Sequence, residues 1–232
     1  MERTHVLYQK ACRMFFFIGS AVSALLIPLA PEIVDLTLGK SYAGAALPLA
    51  IMLLYPLQQA LGHITHTLFY ATAQLKLYVK FAIPLMALGL LLTYFLLADP
   101  YAQIPGLGLG AVGLPIKIVV LAVITVYANT WLISRHYGWE FQWKYQVSCL
   151  GTLLALSTSI VSLARGATWV TGIYVAEIPF LTICASLYGI CLVYFLDSFP
   201  SLFGLTESEY QDLRRRLLGR LGLAKQPGSG SP

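Results

Sequence analysis

The chain has 232 residues, 58% of them hydrophobic and only 11% charged, with a net charge of +5. A soluble domain carries about 25% charged residues, so a water-facing surface around so apolar an interior is not available. Lipid as solvent removes the difficulty, and the basic excess is accounted for by its distribution along membrane loops rather than by a nucleic-acid partner.

A membrane-crossing helix needs about 20 mostly apolar residues. The first stretch that qualifies is Cys12–Ala30. It follows basic residues, yet no small-residue cleavage site of the A-x-A type comes after it, so it reads as a span and not as a signal peptide. Pro31, Gly39 and Gly44 mark the loop that follows.

The second stretch, Ala45–Tyr70, holds the densest polar stripe of the chain. Tyr55, Gln59, His63, His66 and Tyr70 fall within about 80° of arc at helical periodicity. Polar groups on one face of a membrane helix point at other helices or at water. The stripe is therefore either inter-helical hydrogen bonding or the wall of a path for a polar cargo with hydroxyls and phosphates. His63 and His66 have no recognisable third ligand, so no metal site is expected.

The third stretch is Val79–Ala98, and Asp99-Pro100 and Pro105-Gly106 punctuate the loop beyond it. The fourth, Gly108–Ile133, contains a single charge, Lys117. A charge near the bilayer centre costs about 3 kcal/mol on insertion scales. Lys117 is expected to face a wet cavity or a counter-charge. Snorkelling is the alternative, weakened by a depth of roughly 10 residues, or 15 Å, from the nearer end. Gly106 and Gly110 read as a small-xxx-small pair permitting close helix contact. Gly110, Gly113 and Lys117 share that face, and Pro115 frees a backbone carbonyl nearby.

The fifth stretch is Tyr145–Ala164, entered past Trp139, Trp143 and Tyr145, rings that favour the headgroup level. Arg165-Gly166 is read as the loop that ends it, with Trp169 in the same loop. The sixth, Thr171–Leu196, places Glu177 about six residues into the span, where it would pair with Lys117, carry a proton, or sit at the interface. Pro48, Pro56, Pro84, Pro115 and Pro179 fall within these stretches. Kinked spans suit a transporter that bends, although proline is common in membrane helices generally.

Residues 1–199 are thus expected to form an all-α bundle of about six transmembrane helices. Arg3, Lys10, Arg13, Lys76, Lys80, Arg135, Lys144, Arg214, Arg215, Arg216, Arg220 and Lys225 fall on one side of it, and only Lys40 and Arg165 on the other. By the positive-inside rule both termini are cytoplasmic. In residues 200–232, Thr206 can cap a helix in which Tyr210, Leu213, Leu217 and Leu221 recur beside Arg214 to Arg216. This segment reads as an amphipathic helix on the anionic leaflet or as a solvated charged tail, and Gln226 to Pro232 as disordered. Cys12, Cys149, Cys184 and Cys191 match no zinc or redox spacing and are read as packing or lipid-facing residues. No nucleotide-binding loop, HExxH or GxSxG occurs and the acids are scattered, so no enzyme and no cofactor are expected.

The order of several short motifs carries a resemblance. Tyr8-Gln9-Lys10-Ala11 enters the first span, and Gly39-Lys40-Ser41-Tyr42 turns into Ala45-Ala46-Leu47-Pro48-Leu49. Leu68-Phe69-Tyr70-Ala71-Thr72-Ala73-Gln74 follows with Lys76, and Gly108-x-Gly110-Ala111-Val112-Gly113 opens the fourth stretch. This order resembles the second half of Wzx-type polysaccharide (O-antigen) flippases, in the multidrug/oligosaccharidyl-lipid/polysaccharide exporter superfamily. The resemblance implies the C-terminal part of an exporter of lipid-linked oligosaccharide for lipopolysaccharide, in a bacterial inner membrane. It implies a second lobe or partner polypeptide and inactivity of this part alone. Lys117, Glu177, Gln59, His63, His66, Tyr55 and Tyr70 become candidates for the substrate path. A membrane assembly subunit of a polysaccharide biosynthesis complex and a multidrug exporter of the same superfamily are the alternatives.

Overall fold

A computed structural model describes residues 2–71, 75–139, 143–171 and 176–198. Among these the protein is all-helical: α1 (Glu2–Leu26), α2 (Ala30–Thr37), a 3-10 segment (Lys40–Ala45), α3 (Ala46–Met52), α4 (Tyr55–Ala71), α5 (Leu75–Leu97), α6 (Gly110–Tyr137), α7 (Trp143–Thr171) and α8 (Glu177–Ser198). Five helical stretches are long and apolar enough to cross a membrane, and α1 with α2 makes a sixth if that bent pair is one span. The fold is that of a multi-pass helical membrane protein. The segment from Thr206 to Leu221, expected as an amphipathic helix, lies outside the described residues.

Several boundaries depart from the sequence expectation, each for a local reason. The stretch Cys12–Ala30 was expected as one span ending before a loop at Pro31. Instead α1 already runs from Glu2, stops at Leu26 and turns by 68° into α2. Pro28 sits in the turn, and Pro31 falls at the start of α2, where its missing N–H costs nothing. The stretch Ala45–Tyr70 is interrupted at Leu53 and Leu54, just before Pro56. The interruption frees the Leu53 carbonyl, and Ser23 Oγ on α1 donates to it at 2.6 Å.

Gly106 and Gly108 lie before α6, and Gly110 is only its first residue. The expected small-xxx-small pair on one helix is therefore absent. Close approach of α5 and α6 comes at Gly113 instead, where a Cβ would stand 3.1 Å from the Leu96 carbonyl oxygen. Arg165 and Gly166, expected as a loop, lie inside α7. α6 ends where Gly138 takes a left-handed φ of 69°, a conformation side chains disfavour, and its N–H bonds the Ser134 carbonyl. Of the five prolines in the stretches, only Pro84 and Pro115 lie in a helix interior.

The helices pack as a row, α5 on α6, α6 on α4, α4 on α1, α1 on α7 and α7 on α8. The core lies where α1, α4, α6 and α7 meet, around Phe16, Phe17, Leu57, Leu61, Val126 and Leu153. A cluster at one end joins the ends of α4 and α6 to the starts of α1 and α5: Leu68, Phe69, Leu132 and Ile133 with Tyr8, Tyr78 and Trp139. At the other end Leu29, Val161, Phe180 and Cys184 join the α1–α2 turn to α7 and α8. Cys149 and Cys184 are buried and free, as packing residues are. Successive long helices therefore run in opposite directions, as short connections between spans require.

Candidate functional site

Lys117 lies on α6 and faces α4. A groove of about 250 Å3 opens between the two helices, lined on the α4 side by Tyr55, Gln58, Gln59, Gly62 and His66. The α6 side supplies Lys117, Ile118, Leu121, Ala122, Thr125 and Val126. The structure thus brings together four of the residues singled out in the sequence: Tyr55, Gln59, His66 and Lys117. Lys117 is half-buried, and among the described residues no carboxylate lies within ion-pairing distance of it.

Two further polar atoms point to the same place. His66 Nε2 and Gln58 Oε1 are buried from solvent and have no hydrogen-bond partner in the protein. The His66 ring is fixed edge-on to Tyr78, with centroids 5.0 Å apart. A buried polar atom left unpaired costs about 1–3 kcal/mol. Two such atoms and the Lys117 ammonium line one groove, an arrangement suited to a polar occupant.

His63 and Tyr70 are not in the groove. They stand on the outward face of α4 with Gln59 and Thr67, and all four are exposed. At the ends of the row, α5 turns Ile83, Met86, Leu90 and Leu91 outward, and α8 exposes Ile178, Ile183, Ile190 and Val193 together with Thr182, Ser186 and Tyr194. Leu90 is 76% exposed and Tyr70 62%, so the contrast is one of chemistry and not of accessibility. Between Gln59 and Tyr70 the exposed residues of α4 are all polar.

Glu177 is elsewhere. α8 begins at Glu177, so its carboxylate belongs to the first helical turn, where the helix dipole favours a negative charge. α8 packs on α7 and α2, whereas Lys117 belongs to the α4–α6 groove, which Glu177 does not line.

Three features escaped the sequence reading. Gln58 is adjacent to the stripe but outside its arc, and only the close packing of α6 makes it part of the groove. Thr67 follows His63 by one helical turn, where its Oγ1 bonds the His63 carbonyl at 2.8 Å, and spacing could have included it. Arg165 and Glu32 form an ion pair between α7 and α2. Arg165 Nε donates to Glu32 Oε1 and one terminal nitrogen to Oε2, each at 2.9 Å, and that nitrogen also reaches the Pro28 carbonyl at 2.9 Å. The guanidinium clasps the bent segment to the bundle.

In comparisons with protein-family models, with curated proteins and with solved structures, the chain finds no match. The fold defines its class, a multi-pass helical membrane protein, and the α4–α6 groove adds a polar site with Lys117 in its wall.

Proposed function

We propose that this chain is one lobe of an exporter that carries a lipid-linked oligosaccharide across a bacterial inner membrane. The single observation that carries the reading is the outward face of α4. Gln59, His63, Thr67 and Tyr70 stand where a lone bundle would meet lipid, and a polar face at that depth is tolerated only against water or another protein body. A transport path between two lobes supplies both, and the motif order between Tyr8 and Lys144 favours a polysaccharide cargo. The second lobe belongs to a longer polypeptide or to a partner chain, and this lobe moves nothing without it. In this reading Lys117, His66, Gln58, Tyr55 and Gln59 form the polar wall against which the sugar or its phosphates pass. No covalent step and no cofactor are involved.

Thiol labelling in native membranes tests the path. In a background with the four cysteines replaced, Gln59→Cys, His63→Cys and Thr67→Cys should react with a charged, membrane-impermeant maleimide, and Leu90→Cys on α5 should not. Equal inertness of the α4 positions and Leu90→Cys would remove the path. The cargo is tested separately. Lys117→Met in the assembled exporter should reduce appearance of lipid-linked oligosaccharide on the outer face, and unchanged export would take Lys117 out of the mechanism.

A further inference from the structure

A second cavity lies at the end of the bundle where α1 starts, α4 and α6 finish and α7 begins. It measures about 40 Å3, and its wall includes His5, Tyr8, Arg13, Trp139, Tyr145 and Gln146. Its level is set by the rings around it. Trp139 stacks on His5 at 4.9 Å and packs against Tyr8 and Tyr137, and Trp143 is exposed beside it in sequence. Such rings gather at the membrane–water interface, and Lys10, Arg135 and Lys144 lie at this end as well.

The polar groups of the cavity are unequal. Thr65, Thr130 and Ser134 already donate to the carbonyls of Leu61, Val126 and Trp139. Gln146, buried in the wall, takes the Tyr127 hydroxyl on its Oε1 at 3.2 Å, which leaves its amide N–H groups as its remaining capacity. Arg13 brings a positive charge held over the Tyr145 ring, 5.4 Å from its centroid. His5 Nε2 is buried with no partner in the protein. A cation, an amide donor and an unpaired imidazole nitrogen around one small space suit an oxyanion, and guanidinium groups bind phosphate oxygens in charge-assisted pairs. Beside the mouth, Val6 and Leu7 present apolar side chains, 63% and 67% exposed, to the surroundings of α1.

We propose that this cavity is a phosphate site, taking either the phosphodiester headgroup of a membrane phospholipid or free phosphate, with Arg13 and His5 as its principal ligands. The site is distinct from the α4–α6 groove and does not rest on the transport reading. Basic pockets between membrane helices bind lipid headgroups in this way. The geometry gives the anion a ligand set and leaves the acyl chains to run along α1.

The test uses the full chain in detergent, washed free of lipid and followed by tryptophan fluorescence, since Trp139 is part of the wall. It is titrated with short-chain phosphatidylglycerol, with diacylglycerol of the same chain length, and with inorganic phosphate. Phosphatidylglycerol should raise the unfolding temperature and change the emission, while diacylglycerol should do neither. Arg13→Gln should weaken binding by about tenfold or more, the scale of a hydrogen bond to a charged group. His5→Phe keeps the ring stack on Trp139 and removes the unpaired nitrogen. It should weaken binding several-fold while leaving the lipid-free unfolding temperature unchanged or higher. Lys80→Gln, whose side chain is not in the wall, should bind as the parent does. A full response to inorganic phosphate assigns the site to a soluble anion, a response to phospholipid alone assigns it to the membrane, and both uphold the phosphate chemistry. Equal responses to diacylglycerol and phosphatidylglycerol, or parental binding by His5→Phe, would overturn it. Should Arg13→Gln not fold, His5→Phe alone decides.

Discussion

Arg165 shows how much a single side chain can organise at the edge of a membrane bundle. Its guanidinium holds both oxygens of Glu32 and the Pro28 carbonyl, so it fixes the 68° bend between α1 and α2 from outside. Arg165 is 46% exposed and Glu32 18%, which limits the pair to about 1 kcal/mol, the upper range for solvent-accessible ion pairs. In detergent, a double-mutant cycle of Arg165→Ala and Glu32→Gln read by denaturant unfolding should give a coupling energy of that size. A coupling of zero would mean that the bend holds itself. Buried hydroxyls behave differently. Ser157 on α7 is completely buried, and its Oγ has no partner. Replacing such a group by an apolar one of similar shape is neutral or stabilising. Ser157→Ala should therefore leave the unfolding midpoint within about 0.5 kcal/mol of the parent or raise it, in contrast to Ser23→Ala. Ser23 serves the Leu53 carbonyl at 2.6 Å, and its loss should cost about 1–3 kcal/mol.

At the scale of the element, the informative places are where helices stop. α1 and α2, like α3 and α4, are pairs broken near prolines, and in each case the freed backbone is supplied from a neighbouring helix, by Arg165 in one and Ser23 in the other. In both breaks a side chain thus takes the place of the backbone N–H that a continuous helix would supply. The α5–α6 contact is close at two glycines: a Cβ at Gly89 would stand 2.9 Å from Leu121, and one at Gly113 3.1 Å from the Leu96 carbonyl oxygen. Gly113→Val should separate the two helices and lower stability by about 1–3 kcal/mol, the usual range for overpacking. Thermal unfolding of the purified variant checks the size of the loss. A neutral result would show that α5 is held mainly by lipid and not by this contact.

For the whole molecule, the row of helices from α5 to α8 separates two kinds of surface. The outward side of α5 carries Ile83, Met86, Leu90 and Leu91, whereas α4 offers Gln59, His63, Thr67 and Tyr70 to the same surroundings. A lone bundle in lipid would bear the cost of that face. The labelling pattern expected under the exporter reading, reactive α4 positions and an inert Leu90→Cys, is thus a property of the assembled molecule and not of any one residue.

Composition and hydropathy pattern are enough to place the chain among multi-pass membrane proteins. A composition 58% hydrophobic and 11% charged, divided into stretches of spanning length, leaves a membrane bundle as the only economical fold, because lipid replaces the charged surface a soluble core would need. The sequence also pointed to Lys117 and to the α4 stripe, since a charge in an apolar run and a period of 3.6 are local signals. Tertiary structure alone decided which of those residues share a site. Tyr55, Gln59 and His66 meet Lys117 because α4 packs on α6, while His63 and Tyr70 turn outward and Glu177 starts a helix elsewhere. The Arg165–Glu32 clasp, 133 residues apart in the chain, was invisible for the same reason. Periodicity fixes which residues share a face of one helix, but only packing fixes what that face meets.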